Sequence, residues 1–342
     1  MNLLRALIRY TFLLEGVLGL VPALRAEDGL AAKYPGDTGI EHDPHIVFVE
    51  NFDEGSLEEL WKRWDDAGWR DEMSFAQDVP AGSASKHSLI MDRTKGEGGR
   101  LYRRLANANG GFGYDQIYAR YYVKFDPESG ELHHFGTCLG GNNPPTRWPV
   151  VNAGFPTDGA KSFWSGIEPF GTSWTWDYYT YWCDMRGSPP NGKTWGNSFI
   201  HNDQLKVEKG KWICIEQMIK MNDVGDTNGE QALWVDGKEV SHLGKGFPKG
   251  LWKFDRFFPG QEGEGIRWNN QKGDREHFNS APGGDPFEGF RWRTVPELNV
   301  NFVWLYIYTE KPEGFHIKAQ FSNVVVATSY IGPIQVPGAG NP

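Results

Sequence analysis

Residues 210–240 read GKWICIEQMIKMNDVGDTNGEQALWVDGKEV, and their periodicity decides the fold class. From Trp212 to Asn222 the side chains alternate. Ile213, Ile215, Gln217, Ile219 and Met221 share one face, and Trp212, Cys214, Glu216, Met218 and Lys220 share the other. A period of two belongs to a strand whose two faces meet different surroundings. Ala232 to Val240 then reads as two short strands around Asp236-Gly237, a hairpin signal.

The same alternation recurs outward from this stretch. Ile117, Ala119, Tyr121, Val123 and Phe125 form an apolar face against Tyr118, Arg120, Tyr122 and Lys124. Val303, Leu305 and Ile307 alternate with Phe302, Trp304, Tyr306 and Tyr308, and a last strand covers Ile317 to Ala327. The only clear helical segment follows the capping box Ser56-Leu57-Glu58-Glu59 and runs to about Trp64. Many antiparallel strands without intervening helices predict an all-β sandwich of two antiparallel sheets, or jelly roll. Ile213, Ile215, Ile219, Val303, Leu305 and Ile307 should lie between the sheets. Phe254 to Leu298 is rich in Gly, Pro, Asn and charge. It reads as a long irregular insertion, a flap over one end of a groove.

Composition bounds the rest. The 342 residues carry 35 basic and 44 acidic side chains, a formal charge of −9, and are 39% apolar. The acidic balance argues against a nucleic-acid binder, which needs a basic footprint. Past the N-terminus no segment has the apolar length of a membrane span. Arg5 and Arg9 precede an apolar run from Tyr10 to Leu24 that ends in Ala26, the plan of a secretory signal. The expected organisation is a signal peptide at 1–26, a linker at 27–45, the jelly-roll domain at 46–334 and a flexible tail at 335–342, in a secreted or periplasmic protein. Cys138, Cys183 and Cys214 allow at most one internal disulfide. Glu50, Asp53 and Asn323 are oxygen donors of the kind calcium takes, but no compact calcium loop accompanies them, so no metal or other cofactor is assigned.

Strands that pair an aliphatic face with aromatic and charged residues suit a sugar chain. Rings cover the apolar faces of pyranoses, polar groups take the hydroxyls, and Arg or Lys meets carboxylates. Arg120, Tyr122, Lys124, Trp304 and Tyr306 are therefore expected to share one substrate-binding surface, with a polysaccharide, anionic in character, as the partner. Non-catalytic carbohydrate binding needs no more than such a surface.

The 210–240 stretch, with ARYYVKFDPE at 119–128 and FSNVVVATSYIGP at 321–333, resembles the concanavalin A-like jelly-roll polysaccharide lyases of the alginate and glucuronan lyase type. The resemblance implies a lyase that cleaves a uronate-containing polysaccharide by β-elimination. Those lyases carry a lysine in the loop after the VKF strand, where this chain has His133 and His134. They also carry a Tyr-x-Tyr strand, matched here by Tyr179-Thr180-Tyr181. The implied catalytic set is His134, Tyr179 and Tyr181, with His133 at the substrate. The chemistry needs a clamp on the carboxylate, a base for the C5 proton and an acid for the departing oxygen. A tyrosine or a histidine fits the proton-transfer roles. The alternative of the same architecture is a glycoside hydrolase, with Glu168 and Glu216 facing each other across the groove.

Overall fold

The structure, a computed structural model, describes residues 29–336 apart from 94–97, 133, 149, 151–152, 189–190, 310 and 312–314. The expected signal peptide, His133 and the tail beyond Val336 lie outside the described residues.

The alternating segments form two stacked antiparallel sheets. The front sheet has six strands in the order Asp66–Gly68, Arg100–Arg104, Phe302–Tyr308, His134–Asn142, Ser162–Phe170 and Thr175–Tyr181. The back sheet has eight. Its path runs Lys238–Leu243, Glu230–Val235, Ile213–Lys220, Gln116–Phe125, Ile317–Ala327, Ser88–Arg93 and Met73–Ala76, with Ile46–Glu50 also paired to Ile317–Ala327. The aliphatic faces meet between them, and the six core residues expected from the alternation are all buried there. Phe135 of the front sheet stacks on Phe321 of the back sheet at 5.5 Å. A polar link crosses the same interior. Ser165 Oγ lies 2.8 Å from Thr180 Oγ1 and donates to Gln231 Oε1 at 2.9 Å, while Gln217 Nε2 donates to the Ser165 carbonyl at 3.2 Å. Gln217 thus shares the apolar face of its strand and spends its amide on joining the two sheets.

The helix forms where its cap predicts, over Leu57–Arg63, with Ser56 Oγ accepting from Glu59 N. The insertion holds a small sheet of its own, built from Lys249–Lys253, Arg256–Pro259, Glu264–Asn269, Asp274–Asn279 and Asp285–Pro286. It packs through Trp252 and Phe287 against Phe199, and through Phe290 against Trp182.

Two expectations fail at the back of the molecule. The stretch expected as a linker is folded from Leu30 onward: three 3₁₀ turns over residues 30–42 bury Leu30, Ala31 and Ile40 against Val325, Ala327 and Ile331. Arg120, Tyr122 and Lys124 lie under or beside this cover, on the outer face of the back sheet, and share no surface with Trp304 and Tyr306. Arg120 is fully buried. Its guanidinium forks onto Asp37 and also donates to the carbonyls of Gly332 at 3.2 Å and Asn323 at 3.3 Å. Tyr122 Oη accepts from Ile334 N at 2.8 Å, and Lys124 pairs with Asp78. Glu216, opposite Arg120 in the sheet, accepts from Ile331 N at 2.7 Å and Gly332 N at 2.8 Å. Burial pushes its carboxyl up to about 7.

A buried charge stripped of its partner is costly. Asp37→Ala should therefore destabilise the chain by about 3–5 kcal/mol, read as a lowered denaturant midpoint. Combining it with Arg120→Met should restore part of that loss, since neither charge then remains buried. A double variant no more stable than Asp37→Ala would show that the pair does not govern this face.

Candidate functional site

The outer face of the front sheet is open, and cross-strand register builds the site on it. Trp304 stands opposite Cys138, Tyr306 opposite Gly136 and Tyr308 opposite His134. On the next strand Cys138 faces Gly166, and beyond it Gly166 faces Tyr179 while Trp164 faces Tyr181. Gly136, Cys138 and Gly166 therefore leave room on the two central strands, between large rings on the flanking strands and Trp164. The floor at Gly166 has no room for a side chain, because a Cβ there would sit 2.8 Å from Cys138 Sγ. The result is a cleft of about 780 Å³. Trp304 and Tyr306 stack at 4.0 Å along one wall, and Trp164 and Tyr181 at 4.8 Å along the other. Trp148 and Trp195 stand at its rim, both partly exposed.

His134 enters from one end. Its Nδ1 donates to Glu168 Oε1 at 2.8 Å, and its ring lies 4.6 Å from that of Tyr179 and 5.8 Å from that of Tyr308. Tyr179 and Tyr181 hydroxyls are 3.5 Å apart. Tyr179 is half-buried and Tyr181 almost wholly buried, and both line the cleft. Burial raises both phenols above the ordinary tyrosine value, and raises Tyr306 likewise. All three stay protonated through the neutral range and act there as hydrogen-bond donors. Burial also raises the Glu168 carboxyl, against the opposing pull of His134. A carboxyl at Nδ1 fixes the ring and its tautomer.

The convergence expected of His134, Tyr179 and Tyr181 is present, together with Trp304 and Tyr306. Arg120, Tyr122 and Lys124 are absent from it. So is Glu216, which belongs to the other sheet and holds the chain at Ile331 and Gly332. The expected Glu168/Glu216 pair therefore does not span the cleft. Sequence reasoning treated Glu168 only as a hydrolase carboxylate and missed its bond to His134. It also passed over Trp164 and Arg100, which line the cleft. The alternation Trp164, Gly166, Glu168 was the available signal for the first, and nothing in the local sequence marks the second. Among the described residues no cluster of His, Cys, Asp and Glu has the makings of a metal site, and no cysteine is paired. The Glu50 carboxylate is taken by Phe52 N, Arg63 and Trp64. Among the same residues no helix is long and apolar enough to cross a membrane.

No protein-family model and no curated protein sequence matches this chain. Solved structures do. The PL-14 alginate lyase from Aplysia kurodai superposes with a TM-score of 0.51 at 13% identity, covering 83% of this chain and 99% of that one. The alginate lyase vAL-1 from Chlorella virus gives 0.48 at 13% identity, over 82% of this chain and 100% of that one. The endo-β-1,4-glucuronan lyase from the fungus Trichoderma reesei gives 0.41 at 12% identity, over 83% and 95%. The first of these carries the argument for the fold: the chain has the jelly-roll architecture found in polysaccharide lyases. Fold alone does not assign an activity.

Trp304 is a half-buried platform on the cleft wall. Trp304→Ala should weaken binding of a sugar chain roughly tenfold, as loss of one stacking ring does. Its melting temperature should stay close to the wild type. Calorimetric titration beside a thermal melt reads both.

Proposed function

We propose that this protein is a polysaccharide lyase that cleaves a uronate-containing chain by β-elimination in the front-sheet cleft. The observation that carries this reading is the meeting of the His134–Glu168 pair with the Tyr179 ring on an aromatic-walled floor. The rings bind the sugar faces. Arg100, which lines the same cleft, supplies positive charge toward the carboxylate, and the Tyr181 hydroxyl holds that of Tyr179. His134 takes the C5 proton, the electron pair forms the C4–C5 double bond, and the C4–O bond breaks. The leaving oxygen receives its proton from Tyr179 Oη, and the proton held by His134 then restores the phenol. A phenol kept protonated by burial suits the acid role, and an imidazole oriented by a carboxyl suits the base.

Incubating the protein with uronate-containing and neutral polysaccharides, and measuring unsaturated product together with new reducing ends, tests the assignment. The expected result is unsaturated product from the uronate polymers only. Tyr179→Phe should abolish it while binding persists. Tyr181→Phe should lower the rate less, and Glu168→Gln should lower kcat with little change in KM. The rate should hold to a pH above the ordinary tyrosine range near 10, because burial raises the Tyr179 phenol. Full activity in both tyrosine variants would end the tyrosine assignment. Reducing ends without a double bond would make the protein a hydrolase, and binding without either product would make it a carbohydrate-binding module.

We also propose export, on the charge and apolar pattern of residues 1–26. The mass of the protein recovered from outside the producing cell should correspond to a chain cut after Ala26.

A further inference from the structure

The small insertion sheet and the chain after Trp182 enclose a second hollow of about 470 Å³. One thin ridge divides it from the catalytic cleft. Gly154 and Thr194 form a single antiparallel bridge there, with Thr194 N donating to the Gly154 carbonyl at 3.2 Å. Their neighbours Ala153 and Trp195 line the cleft, whereas Gly154 and Thr194 line the hollow. The two spaces adjoin at this bridge.

Their charges differ. Among the described residues the cleft sets Arg100 against Glu131 and Glu168, while the hollow has Arg186, Lys193 and Arg267 and no carboxylate. Arg186 donates to Glu288 at 2.8 Å and Arg267 to Glu276 at 2.7 Å, both acids outside the lining. Lys193 is exposed, its Nζ 5.9 Å from the Trp195 ring. Trp268 supplies an apolar wall, and Gly192 makes room for it: with φ +67° the residue is already in glycine's range, and a Cβ would lie 2.1 Å from the indole Cδ1. A cationic hollow with an indole wall, continuous with a ring-lined cleft, matches the next stretch of an acidic sugar chain.

We propose that this hollow is a distal subsite for a uronate unit of the chain whose scissile bond sits in the cleft, with Lys193 and Arg267 meeting its carboxylate. The inference rests on the reading of the cleft as a polysaccharide site. It places selectivity for acidic polymers in the insertion and the chain after Trp182, apart from the reacting groups, and makes long chains better substrates than short ones.

The test uses the full protein, a Lys193→Ala/Arg267→Ala variant and a Lys193→Arg control. Each is assayed against a long uronate polymer, a uronate trisaccharide too short to cross the ridge, and a neutral glucan, by turnover and by affinity electrophoresis. The double variant should bind the polymer roughly tenfold more weakly, with kcat unchanged and a flatter salt dependence. Trisaccharide cleavage and glucan binding should not move, and Lys193→Arg should retain polymer affinity. An equal loss on polymer and trisaccharide, or no loss on the polymer, would overturn the subsite. If polymer binding falls in the variant but the wild type yields no unsaturated product, the subsite stands and the lyase chemistry does not. If product forms and the variant matches the wild type, the reverse holds.

Discussion

A guanidinium in the interior of a protein needs oxygen partners for its charge, and Arg120 makes that demand in the middle of the back sheet. Its partners come from three places: Asp37 from the N-terminal turns, the Gly332 carbonyl from the C-terminal segment, and the Asn323 carbonyl from the adjacent strand. Glu216 and Tyr122 hold the same C-terminal segment by its backbone amides. Each of these polar groups would be expensive to bury alone. Together they fix both chain segments against the sheet and exclude water from its outer face. The middle of the back sheet is thereby buried on both sides, and the cleft lies on the outer face of the front sheet.

This constraint explains which parts of the molecule were legible. Period-two alternation reports that a strand has two unlike faces, and so it disclosed the strands, the interior residues and the aromatic wall of Trp304 and Tyr306. It does not report what covers the second face. Arg120, Tyr122 and Lys124 carry the same pattern as the cleft residues, yet they meet protein where the cleft residues meet an opening. The covering segment was unreadable because its turns are made from Pro35, Gly36, Asp37 and Gly39, residues that also make linkers, with only Leu30, Ala31 and Ile40 as buried apolar anchors. The insertion was opaque for a related reason. Its strands are exposed on alternate residues and heavily charged, so their period is diluted by side chains that bury nothing.

The cleft depends on a division of labour between side chains above and below the front sheet. Above, the central strands give up side-chain volume at Cys138 and Gly166, so rings on the flanking strands can face each other across a floor. Below, Ser165 and Thr180 lie between the cleft residues Trp164 and Gly166, Tyr179 and Tyr181 in sequence, and tie those strands to Gln231 and Gln217 of the back sheet. The strand that carries Tyr179 and Tyr181, with its neighbour, is thus held from beneath by directional bonds as well as by apolar packing. Holding the site on strands tied in this way limits the reorganisation needed when a substrate arrives.

The seal over the back sheet also sets an order of events during synthesis. Leu30 and Ala31 bond to Tyr330 and Ile331, and Gly36 to Gln335, so residues near the start of the described chain find their partners only near its end. Contacts this distant in sequence must wait for loop closure across almost the whole domain, which makes folding slow. Until the last strand has left the ribosome, the N-terminal turns have nothing to dock on, and the nascent chain carries Arg120 on an unfinished sheet with exposed edges. Such a chain is vulnerable to association with its neighbours, and dependent on chaperones or on delayed folding, for most of the time it takes to make it.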